Sequence, residues 1–215
     1  LVFLVVTIAL GIFNAQTART INQNEADRIT YTYGADVVLQ EPWKDNSFAM
    51  ENDPTGMLKI AYTEPDYGRY QTLEGARSVT KVVWDEGGNL LNLASATGTA
   101  SRTGCTIVGI DGKEFGQTAD FKTSLLDTHW YNYLNAMSQT ANAILVSSNL
   151  KAHGYALGDL LSYKSSDGNQ ARGVIYGFVD YFPGFVPSGT ETTRDGETVE
   201  YSNFLVVAAT APISV

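Results

Sequence analysis

A chain that opens LVFLVVTIALGIF and continues NAQTARTINQNEADRI has already narrowed what it can become. Residues 1–13 carry no charge, and their apolar side chains fall on every side of a helix instead of along one stripe. A helix packed on a protein core normally keeps a polar face toward water, whereas one apolar all round suits lipid. A run of this length rises roughly 20 Å at about 1.5 Å per residue, short of the ~30 Å hydrocarbon layer of a bilayer. It is therefore read as the outer end of a transmembrane helix that continues upstream of Leu1, the first Met being Met50. Two other readings stay open. The run is also compatible with a signal peptide, with Ala15 and Thr17 as small residues near a cleavage point, and with a buried core helix.

Residues 16–29, QTARTINQNEADRI, hold good helix formers with neither Pro nor Gly. So polar a helix is marginal alone, but growing out of an existing span removes its nucleation cost. The expectation is one helix over residues 1–29: residues 1–14 as the outer end of the span and 15–30 as a stalk. Arg19, Ile21, Glu25 and Arg28 are the stalk residues singled out for coupling. Glu25 and Arg28, three apart, are placed to pair on one face. Under the signal-peptide reading the same stretch is a linker.

The net charge of −9 and a pI near 4.6 leave no basic stripe to neutralise phosphates or to hold an anionic membrane surface. The one cysteine, Cys105, forms no internal disulfide and reads as a small buried hydrophobe in a strand. With 44% hydrophobic residues there is material for a core.

Gly34 offers a helix stop. Beyond it the pattern predicts strands at 35–40, 59–62, 78–84, 90–96, 105–110, 143–147, 160–164, 172–181 and 203–208. Helices are predicted at 65–73 and 129–138, with a short one at 148–153 closed by Gly154. Residues 115–126 read as irregular or partly helical. Loops or turns are predicted at 41–56, 86–89, 157–159 and 183–196, and Asp167-Gly168 reads as a hairpin turn. Gly158 and Asp159 are expected to shape the turn into a strand. The fold class is α+β.

Residues that carry chemistry do not cluster. There is no phosphate-cradling GxxxxGK[ST], no GxSxG elbow and no HExxH pair. His129 and His153 lack a helix-spaced partner. The acids Asp36, Asp111, Glu114, Asp120, Asp159 and Asp180 show no spacing that selects a general acid and base. The stretch Asp180-Tyr181-Phe182-Pro183-Gly184-Phe185 reads in two ways. It is a contact surface carried by Tyr181, Phe182 and Phe185, or a strand end tucking its rings beneath a turn.

The order of several segments carries a resemblance: GADVVLQ after the stalk, then GIDGKEFGQTADF, then ILVSSNL, LGDLLSY and GVIYGFVDYFPGF. Together they resemble the first extracytoplasmic region of FtsX-like, MacB-type ABC transporter permeases, the large Gram-positive ones above all. The resemblance implies a porter-like α+β lobe beginning at residues 31–110 and an inserted, mostly β, sabre-like lobe at 111–215, with the rest of the region after Val215. It implies no catalytic residue, cofactor or metal here, ATP and Mg being held by a cytoplasmic ATP-binding cassette subunit or domain. It implies a second permease protomer, and a lipoprotein, peptide or cell-wall enzyme as cargo or partner. The domain would lie on the extracellular side of the cell membrane, coupling ATP-driven motion to export, extraction or signalling. The competing expectations are a secreted or membrane-anchored ligand-binding protein, and a membrane-anchored hydrolase in which Asp180 meets a second acid.

Overall fold

The computed structural model describes residues 2–57, 61–93, 101–192, 196 and 198–209. One uninterrupted helix, α1 (Val2–Tyr33), takes up the apolar run and the polar stretch after it. Nothing in its sequence breaks the backbone ladder, there being no Pro and a single interior glycine, Gly11. At about 1.5 Å per residue its 32 residues extend roughly 48 Å. Apart from Asp27 and Tyr31 its side chains are exposed, the apolar ones included. It runs beyond residue 29 to Tyr33. There Gly34, at φ +75°, ends it and donates its N–H to the Thr30 carbonyl at 2.7 Å.

The strand expected at 35–40 does not form. Those residues lie outside any ladder, with Val37, Val38 and Leu39 61–73% exposed. Their β-propensity expresses itself only against a neighbouring strand, and none is beside them among the described residues. Residues 41–56, expected as a loop, contain β1 (Lys44–Asp45) and α2 (Ser47–Glu51). β1 pairs antiparallel with β2 (Tyr62–Thr63). Residues 59 and 60 of the expected strand lie outside the described residues. The helix expected at 65–73 contracts to α3 (Gly68–Gln71).

From there the chain builds a closed six-stranded barrel. β3 (Val82–Leu93) and β4 (Ser101–Ile110) are followed by α4 (Gly112–Thr118) and α5 (Trp130–Ser138). Next come β5 (Ala143–Ser147), β6 (Leu160–Lys164) and β7 (Gln170–Val179). A two-stranded ribbon of β8 (Ser188–Thr192) and β9 (Thr198–Ser202) precedes β10 (Phe204–Ala209). The first strand of that ribbon, β8, stands in the stretch expected to be a loop. Around the barrel the order is β10-β4-β3-β6-β7-β5. β10 runs parallel to β4 and β5 parallel to β7, and the other neighbours are antiparallel. The α+β class holds. The barrel takes β3 and β4 from one side of residue 110 and its remaining strands from the other, so the expected lobe boundary falls at the β4–α4 connection.

The turn expected at 86–89 is also absent. β3 continues through it as a bulge between Asp85 and Gly88. Asp85 anchors the bulge, one carboxylate oxygen accepting from Gly87 N at 2.9 Å and the other from Ser166 N at 2.8 Å. A Cβ at Gly88 would stand 2.8 Å from the Cys105 backbone carbonyl and 2.6 Å from Ile107 Cδ1, so only glycine permits this approach to β4.

Side chains alternate between two compartments. One set, including Leu90, Ile107, Val146, Leu161, Ile175 and Val206, fills the barrel. The other, including Val108, Leu145, Leu205 and Val207, faces outward beneath α4 and α5, against Phe115, Leu134 and Met137. β5 and β10 are buried on both faces, which is why AILV and FLVVA read as continuous apolar runs.

Candidate functional site

The polar end of α1 is seated on the barrel, and few groups do it. Tyr31 is the one buried residue of the helix. Its hydroxyl accepts from Lys122 N at 2.6 Å and donates to Lys122 O at 3.4 Å. Burial pushes its phenol above the ordinary value, Asp120 adds to this, and the bond from the Lys122 N–H pulls the other way. One turn earlier on the same face, Asp27 forms an ion pair with the Lys122 ammonium. Both partners are partly exposed, so the pair contributes about 1 kcal/mol at most. Two backbone bonds complete the seat: Gly184 N to Tyr31 O at 2.7 Å, and Asp120 N to Gly34 O at 3.0 Å. A Cβ at Gly34 would lie 3.0 Å from both Gly184 N and Pro183 C.

The stalk residues expected from the sequence sit elsewhere on α1. Arg19, Ile21, Glu25 and Arg28 are all exposed. Among the described residues the ion pairs are Glu41–Arg69, Glu64–Lys81 and Asp27–Lys122, so Glu25 and Arg28 are not joined. The contacts go to Asp27 and Tyr31, spaced four apart, a spacing that faces one side. The sequence signal was slight: TYTYG offers two tyrosines, and only the fold buries Tyr31 and leaves Tyr33 exposed.

Of the expected contact residues, Phe182 (1% exposed) and Phe185 (5%) are in the core, while Tyr181 (44%) is exposed. Phe182 stacks on Phe115 at 5.3 Å between ring centroids and meets Phe121 edge-on at 6.0 Å. Gly184, at φ +83°, turns the chain between the two phenylalanines, beneath the Trp84 ring. For Phe182 and Phe185 the strand-end alternative describes the structure. The turn they anchor is the surface against which α1 rests.

The same stretch forms one wall of an open cleft of about 340 Å³ at the end of the barrel. The parallel strands β5 and β7 both finish there, at Ser147 and Val179. Ser147 and Asn149 belong to its floor. The buried Ser147 hydroxyl donates to Asn149 Oδ1 at 2.7 Å and accepts from Leu205 N at 3.0 Å. The Asn149 amide donates to Ser202 Oγ at 2.8 Å and to Asn203 O at 2.7 Å. These bonds tie the end of β5 to the start of β10 and to the base of the β8–β9 ribbon.

Several of the other polar candidates have structural partners. Asp111 caps α4, accepting from Lys113 N and Glu114 N. Glu114 accepts from the Tyr67 hydroxyl at 3.1 Å. His129 caps α5 through Nδ1, which accepts from Tyr131 N at 3.3 Å, and His153 lies edge-on to Phe204. Asp159 accepts from Ala156 N at 2.7 Å, and Gly158 holds φ +90°, shaping the turn into β6. Cys105 is buried, and burial pushes its thiol up to about 12, with Asp85 adding to the effect. Among the described residues no group of three or more His, Cys, Asp or Glu is placed to hold a metal ion. Compared with family models, with curated proteins and with solved structures, the chain matches none.

Proposed function

We propose that this chain is the extracytoplasmic region of an ABC transporter permease. In this reading, motion driven by ATP on a cytoplasmic partner reaches the barrel through α1. The observation that carries the reading is α1 itself. It is one rigid helix, apolar on every side at one end, exposed throughout that end, and seated at the other end on a folded body by Tyr31, Gly34 and Asp27. Full exposure of so apolar a segment disfavours a core helix and suits a lipid surround. An unbroken helix transmits displacement and rotation in a way that a loop does not. Residues 31–110 would then begin the porter-like lobe and residues 111–215 would belong to the inserted one, with strands of both meeting in the barrel. A second permease protomer, an ATP-binding subunit, and a lipoprotein, peptide or wall enzyme as cargo or partner belong to this proposal.

Single-cysteine variants test the topology in intact cells, with Cys105 replaced by Ser. Asn24→Cys should react with a membrane-impermeant maleimide, and Ile8→Cys should not. Equal labelling of the two would end the membrane-span reading. Coupling is tested separately by Ile21→Pro, which breaks the helix at a cost of about 3 kcal/mol. ATP-dependent activity of the full-length permease should fall, and unchanged activity would refute transmission through α1. The polar cleft favours a second reading, a membrane-anchored ligand-binding protein without transport, in which the topology result stands and Ile21→Pro is silent.

A further inference from the structure

The cleft at the end of β5 and β7 has a chemistry of its own. Its volume, about 340 Å³, lies at the lower end of the range of small-ligand sites. Its remaining lining residues are Ser148, Asp180, Tyr181, Pro187, Ser188 and Ser202. Among the described residues that line it there is no Lys, Arg or His. Ser147 and Asn149 spend their hydrogen bonds on each other, on Leu205 of β10 and on Ser202 and Asn203 just before it, so the floor is preorganised. Asp180 and Tyr181 are both exposed, and neither side chain is engaged in a hydrogen bond or an ion pair among the described residues. A lining that holds an acidic residue, an exposed tyrosine and serines, with no cationic residue among the described ones, disfavours anions. It suits an alkylammonium, which donates to carboxylate and hydroxyl oxygens and rests its charge against a ring face. The chain's net charge of −9 draws such a group in from a distance.

We infer that this cleft binds the side-chain ammonium of a basic peptide. Its wall is continuous with the seat of α1. Tyr181 lines the cleft, Phe182 is fixed in the core, and Gly184 donates its N–H to Tyr31 O. An occupant against Tyr181 therefore bears on the turn that holds the helix end. That second step rests on the transducing function proposed above; the binding itself does not.

Binding is measured on the full chain in detergent micelles by ligand-observed NMR. The probe is Nα-acetyl-lysine methylamide, and Nα-acetyl-norleucine methylamide is the uncharged control with a similar stem. The lysine compound should bind saturably and at least tenfold more tightly than the norleucine compound. Asp180→Asn should weaken it tenfold or more, and Tyr181→Ala severalfold, while Tyr181→Phe, which keeps the ring, should stay within twofold of wild type. Both positions are exposed, and an unchanged thermal melt verifies that each variant is folded. Equal binding of the two compounds, no binding of either, or an affinity indifferent to Asp180→Asn would each overturn the inference. Because this assay involves neither ATP nor a membrane potential, its failure leaves the transducing function standing. The converse also holds: a silent Ile21→Pro leaves the cleft standing.

Discussion

Replacing Gly34 by Ala probes the seat of the long helix at its tightest point. Gly34 holds φ +75°, where a side chain costs roughly 1–2 kcal/mol. The stiffer unfolded chain of an alanine variant returns about 0.4–1 kcal/mol of that. The larger effect is steric. The new Cβ would stand 3.0 Å from Gly184 N and Pro183 C and 3.1 Å from Pro183 Cβ. These atoms belong to a turn pinned by the buried Phe182 and Phe185, so they do not swing aside as the tip of a flexible side chain would. Relief requires the turn and the helix end to separate. Separation strains the Gly184–Tyr31 and Asp120–Gly34 backbone bonds, each worth a net ~0.5–1.5 kcal/mol. The local cost is about 2–4 kcal/mol. Amide hydrogen exchange on the full chain reads it directly, since about 1.4 kcal/mol is tenfold in an opening equilibrium. The Gly184 and Asp120 amides should exchange roughly 30- to 700-fold faster, and those of β10 at their original rates. Gly75→Ala is the control, because Gly75 also has a positive φ, +89°, but open space around it. It should leave both reporter amides untouched. If Gly34→Ala leaves Gly184 and Asp120 protected as before, α1 is not held through this junction.

Adjacent aromatic residues should behave oppositely. Phe182→Ala removes a fully buried ring and should cost about 3–5 kcal/mol in urea unfolding, whereas Tyr181→Ala at the cleft rim should stay within about 0.5 kcal/mol. Similar costs would contradict the division of this stretch into core and rim. The Cys105 thiol, raised from the ordinary 9.0 to about 12, should resist iodoacetamide at pH 8 until the chain unfolds. Because its folded pKa is raised, its contribution to stability is whole below about pH 9. That contribution is lost as pH climbs toward 12, by an amount of order 4 kcal/mol at ~1.36 kcal/mol per pH unit. Comparing Cys105→Ala with the parent chain across that window isolates it, and parallel stability curves would refute the assignment.

Some of this fold is legible from residue order alone. AILVS, LLSYK and the Asp167-Gly168 turn become β5, β6 and the β6–β7 hairpin where periodicity and turn chemistry place them. Gly34, Gly154 and Gly158 take the positive φ their positions suggest. An all-apolar run flowing into a polar one determines a continuous helix, because the backbone ladder is indifferent to what its side chains face. These features are local, and local propensity suffices for them. Closure of the barrel is not local. The parallel pairings of β10 with β4 and of β5 with β7 join segments far apart in the chain, and no period within one segment encodes its neighbour. For the same reason residues 35–40, which read as a strand, have no ladder, and Glu86-Gly87-Gly88-Asn89, which reads as a turn, is a bulge tied down by Asp85 and pressed against Ile107. The seat of α1 is a tertiary decision too. Asp27, Tyr31, Lys122 and Gly184 acquire their roles only when a helix end, a short loop and a strand end meet, and those meetings are set by packing of the whole chain.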